Sequence, residues 1–220
     1  MNRQQIAKLE AEVEALLDLT IRAYQRFIFL RPMLADQKLH RRINKEGKGV
    51  GFNRLRLWLY WSLVQQLSNI CSDKDKRSPS ITTVTRKLKK DVPLRKRLEE
   101  KYCKNPHFGE AELRVEFNNL YLDYLRRAEE MLASRAVGGY KKIRNKLISH
   151  NQLRQSKESP TAYDFFDVKI AKVKYGDERK LIETLRVLTK QLLLIVKKVD
   201  FGWDSTLQQA EKIAHDFWGT

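Results

Sequence analysis

The chain has 220 residues, enough for one domain with a substantial core and too few for two large ones. Lysine and arginine number 44 against 27 aspartates and glutamates, so the net charge is +17, an ordinary neutral enzyme surface is excluded, and the expected partner is a polyanion. A hydrophobic share of 42% excludes wholesale disorder, while two cysteines without a CxxC pair, and no secretory leader, lead us to expect a reducing, cytoplasmic setting.

In chain order, Ile6, Leu9, Val13, Leu16, Leu17, Ile21, Tyr24, Phe27 and Ile28 fall at helical steps and predict a long amphipathic helix that Pro32 ends soon after Leu30. The segment KLHRRINKEGKGVG, punctuated by Gly47, Gly49 and Gly51, reads as a cationic connector. A second helix from about Asn53 to Cys71 turns Leu55, Trp58, Leu59, Leu63, Leu67 and Ile70 inward, with Trp61 broadening that face. Ser80 caps a short helix through Leu88, and Val92–Pro93 opens another through Cys103. A long helix begins near Glu110 with Leu113, Phe117, Leu120, Tyr121, Tyr124, Leu125 and Leu132 inside. Its stripe resumes at Tyr140, Ile143 and Leu147, and the intervening Gly138 and Gly139 mark a kink, a break or a close helix contact.

Residues 151–176 read as a structured loop in which DVKIAKVKYG alternates as a short strand would. Asp177 then caps a helix with Leu181, Leu185, Leu188, Leu192, Ile195 and Val199 inward, and a short C-terminal helix over 204–220 ends near Trp218. Without βαβ alternation the expected fold is an all-α bundle of about four long helices plus short ones, one domain over 1–220. No apolar run is long enough for a membrane span.

Among motifs, GKGVG lacks the spacing and the strand of a phosphate loop. His40, His107, His150 and His215 stand far apart and form no HExxH or HxxxH pair, so no metal or other cofactor is expected. The clusters Arg86–Lys90 and Arg95–Arg97 read either as solvated helix faces or, through their excess over acids, as a nucleic-acid track.

One segment carries chemistry: KKIRNKLISHNQ, whose core is Arg144–Asn145–x4–His150. An Arg followed directly by Asn, a short spacer and a His, late in an all-α chain, resembles the HEPN motif. The tryptophan-rich helix running into LSNICSDKDKRSPSITTVTRKL, and the later YGDERKLIETL, resemble the HEPN domains of abortive-infection proteins over roughly residues 1–200. The resemblance implies a HEPN-like bundle and a metal-independent endoribonuclease. It also implies a homodimer acting on RNA as a toxin or antiviral effector, with a cognate antitoxin as a further partner in the toxin case. Other members of the superfamily are non-catalytic, so the alternative is an RNA-binding or toxin-neutralising module of the same fold.

The residues themselves allow phosphate-transfer chemistry. Histidine near its ordinary pKa takes a proton from a ribose 2′-hydroxyl or gives one to the leaving 5′-oxygen, and a guanidinium holds the phosphate. His150 and Arg144 fit those roles. Asn145 is placed to orient the imidazole or the phosphate, Ser149 supports it by position, and Lys141, Lys142, Lys146 and Arg154 are candidate RNA contacts. On one ideal helix Arg144 and His150 diverge by roughly 120°. Either a twofold axis beside Tyr140, Ile143 and Leu147 gathers both residues from two copies into one cleft, or the helix ends before His150.

Overall fold

The structure, a computed structural model, describes residues 3–73, 75, 78–104, 109–145, 153–155, 163–165, 173, 174 and 176–219. Four long helices form the frame: α1 (Arg3–Ala35), α3 (Gly49–Ser72), α6 (Glu110–Ala133) and α8 (Asp177–Lys197). α1 packs along both α8 and α3, and α8 packs in turn against α6. Shorter helices close the bundle: α2 (Gln37–Lys45), α4 (Ile81–Lys90), α5 (Val92–Cys103), α7 (Arg135–Ile143) and α9 (Trp203–Trp218). The expected all-α architecture is what the chain adopts. Among the described residues no helix is long and apolar enough to cross a membrane.

The core follows the periodic stripes. Leu16, Leu63, Leu67, Ile70, Phe117, Tyr124, Leu185, Leu188 and Leu192 are all fully buried. Each such side chain contributes about 1.5–3 kcal/mol relative to exposure. That scale explains why α1 does not stop at Pro32. Leu30 and Met33 on either side of it are fully buried, and their combined burial exceeds the roughly 3 kcal/mol that a proline costs inside a helix. α1 therefore runs on to Ala35.

The presumed connector is also helical. Asp36 caps α2, its Oδ1 accepting from the Lys38 and Leu39 backbone N–H groups at 2.8 and 3.1 Å, while Leu39 is buried beneath. Only Gly47, at φ 71°, is a turn glycine; Gly49 and Gly51 lie in the first turn of α3. The break in the long C-terminal stripe falls at Ser134, not at Gly138–Gly139. Ser134 ends α6 and caps α7, its Oγ accepting from the Val137 N–H at 3.3 Å. α8 is capped by Gly176 at φ 91°, with Asp177 inside the first turn.

Two more expectations need correction. Leu55, Trp58 and Val199 face outward instead of inward. Within the expected loop, Leu153–Gln155 (β1) and Tyr163–Phe165 (β2) pair antiparallel with Arg154 opposite Asp164. The DVKIAKVKYG reading lies largely outside the described residues.

Much of the basic charge on α4 and α5 works inside the fold. Lys87 pairs with Glu12 and Lys101 with Glu10, both at 2.5 Å, tying the short helices to α1, and Lys89 pairs with Glu129 of α6. Within these clusters Lys87 and Lys89 are interhelical clamps, while Arg86, Lys90 and Lys96 are exposed.

Candidate active site

α7 delivers the Arg–Asn pair. Its regular hydrogen bonding ends at Ile143; the Arg144 N–H bonds to both Tyr140 and Lys141 carbonyls, and a wider π-type turn takes in Arg144 and Asn145. How His150 stands relative to Arg144 lies outside the described residues.

The half-buried Arg144 side chain is held by two amide oxygens. Its Nη1 donates to Asn69 Oδ1 at 3.0 Å, and its Nε donates to Asn145 Oδ1 at 3.1 Å. Among the described residues no carboxylate pairs with this guanidinium. Neutral acceptors fix its orientation without cancelling its charge, which is the condition under which an arginine stays available to a phosphate. Asn145 Oδ1 thus acts on Arg144, and its relation to the imidazole of His150 lies outside the described residues.

Asn69 links this arginine to a cleft of about 400 Å³ between α1 and α3, lined by Arg22, Arg26, Gln65, Gln66, Asn69 and Asp73 among others. Arg26 donates to the Ser62 carbonyl at 3.4 Å and to Gln66 Oε1, while Gln66 Nε2 donates to the Leu19 carbonyl at 2.9 Å. Burial pulls the pKa of Arg26 below its ordinary value, and no carboxylate among the described residues offsets it. Arg22, by contrast, pairs with Asp18 at 2.9 Å on the surface.

Beneath α7 the polar groups are structural. The buried Tyr140 hydroxyl donates to Glu178 Oε2 at 3.4 Å, and Glu178 Oε1 accepts from the Gly176 N–H at 3.2 Å. Burial, reinforced by the charge of Glu178, pushes Tyr60 up to about 12 and raises Tyr140 as well, so Tyr140 remains a neutral donor to Glu178.

The remaining candidates divide cleanly. Lys141 is half-buried and Lys142 exposed in the last turn of α7. Lys146, Ser149 and His150 lie outside the described residues, and of Arg154 only the backbone, in β1, is described. Tyr140 and Ile143 are completely buried against the chain's own core, so these two side chains are not open to a second copy; Leu147, the third residue of the expected twofold face, lies outside the described residues. His40 is structural: its Nε2 lies 2.8 Å from the Met33 carbonyl and its ring packs edge-on to Phe52 at 5.3 Å.

Sequence reasoning missed Asn69, Arg26 and Gln66. The signal was present in the polar side chains Gln65, Gln66 and Asn69, which interrupt an apolar helix at helical spacing.

Compared with known proteins, the chain matches the family model HEPN AbiU2, described as AbiU2, over residues 6–217. No match was found among curated proteins or solved structures.

Proposed function

The chain belongs to the AbiU2 family of HEPN domains, and from that premise we propose that it is an endoribonuclease that cleaves RNA by attack of the ribose 2′-hydroxyl, without a catalytic metal. The observation that supports this reading best is the guanidinium of Arg144, oriented by Asn69 and Asn145 and unpaired with any carboxylate among the described residues.

In this reading Arg144 binds the non-bridging oxygens of the scissile phosphate and stabilises the charge that gathers on them. His150 accepts the 2′-hydroxyl proton as the 2′-oxygen bonds to phosphorus. The bond from phosphorus to the 5′-oxygen breaks, and that oxygen takes the proton that His150 has gained, which returns the imidazole to its neutral form. Asn69 and Asn145 are positioning residues, and Lys141, Lys142, Lys146 and Arg154 contact flanking phosphates. The protein works on RNA as a cytoplasmic homodimer, as a toxin or antiviral abortive-infection effector, with an antitoxin as partner in the toxin case.

Purified protein incubated with RNA tests the reading. Arg144→Ala and His150→Ala should each lower cleavage by about a hundredfold or more while the helical circular-dichroism signal stays intact. Wild type that binds RNA but never cuts it would instead assign a non-catalytic HEPN binding module.

A further inference from the structure

The outward side of α3 combines exposed apolar groups with cations. Between Gly49 and Ser72 the helix contains no acidic residue. Trp58 is 67% exposed, with Val50 and Leu57 also open to solvent. Arg54 and Arg56 form no ion pair among the described residues, in contrast to the clamped lysines of α4 and α5.

Helix geometry arranges these groups in a line. At 100° per residue, Arg54, Trp58, Trp61, Gln65 and Asn69 fall within roughly 80° of one another and extend about 22 Å along the axis. The buried Leu63, Leu67 and Ile70 occupy the opposite side. Trp61 is fixed edge-on to Tyr60 at 5.3 Å. At its far end the stripe reaches Asn69, which touches Arg144, and the cleft that holds the uncompensated Arg26.

We propose that this face of α3 is a stacking track that guides single-stranded RNA to Arg144; the inference rests on the ribonuclease reading above. An exposed indole stacks on an unpaired base, and cations without acidic neighbours attract its phosphates. Duplex RNA keeps its bases stacked internally and offers the tryptophan nothing. A second copy of this face is the wrong occupant by charge, because α3 carries no acidic residue to answer Arg54 and Arg56.

The test uses a 2′-O-methyl single-stranded oligonucleotide, which binds without being cut, read by tryptophan fluorescence at graded salt. Trp58→Ala should weaken single-strand binding about tenfold or more, Trp58→Phe should restore most of it, and affinity for the matching duplex should not change. Arg54→Ala should lower the log–log salt slope by about 0.7.

If Trp58→Ala binds the single strand like wild type while Arg144→Ala still abolishes cleavage, the track is wrong and the ribonuclease reading stands. Wild type that neither binds nor cuts RNA would remove both. A Trp58→Ala protein that loses a dimer yet keeps its RNA affinity would make this face a self-interface and overturn the proposal.

Discussion

Tyr124 is completely buried, and its hydroxyl meets Thr85 Oγ1 at 2.8 Å in the centre of the bundle. Removing one partner strands the other without water. Tyr124→Phe should therefore cost about 1–2 kcal/mol, seen as a fall of several degrees in melting temperature; an unchanged midpoint would mean that Thr85 finds another partner. The same logic of paired polar atoms explains what was legible at the site. Arg144 and Asn145 stood out because they are adjacent in sequence. Asn69 did not, because it lies 75 residues upstream of the arginine it holds, and only folding makes that distance short.

At the scale of elements, one cap was legible directly. Ser80 begins α4 as expected, accepting from the Thr83 N–H at 3.2 Å and donating to the Asp73 carbonyl at 2.6 Å, while Thr83 Oγ1 accepts from the Ser80 N–H at 3.0 Å. Ser80→Ala loses the side-chain bonds to Asp73 and Thr83 at a buried position. It should destabilise the protein by about 1–2 kcal/mol in urea titration; a loss near zero would show that this capping box is dispensable. Apolar periodicity was less reliable where hydrophobic residues outnumber the faces that can bury them. The N-terminal half of α3 is apolar nearly all round, so its pattern pointed Leu55 and Trp58 inward although no helix covers them. At the α6–α7 junction the hydroxyl of Ser134 decided the break, against the lower helix propensity of the two glycines that follow.

For the whole molecule, the +17 charge leads one to expect a polyanionic partner without saying where it would dock. Acids of α1 and α6 answer Lys87, Lys89 and Lys101, whereas Arg54 of α3 and Lys142 of α7 are exposed and form no ion pair among the described residues. The buried tyrosines set a limit at high pH. Burial pushes Tyr121 up to about 12 and raises Tyr124 and Tyr140 too. The folded state keeps these protons after the unfolded chain releases them near its ordinary value of about 10. Stability is thus full below about pH 10 and falls as pH rises toward 12, at about 1.4 kcal/mol per pH unit for each tyrosine involved. Urea unfolding at about pH 9 and about pH 11 checks this, and equal stabilities would contradict it.

The central claim is that Arg144 and His150 cut RNA through its own 2′-hydroxyl, and end-group analysis of a digest made in EDTA by purified protein tests it most directly. Upstream fragments should end in a 2′,3′-cyclic phosphate or its hydrolysis product, downstream fragments should begin with a 5′-hydroxyl, and a 2′-deoxy substitution at the scissile position should block the cut. Fragments with 5′-phosphates, or cleavage that returns only when magnesium or manganese is added, would contradict the account.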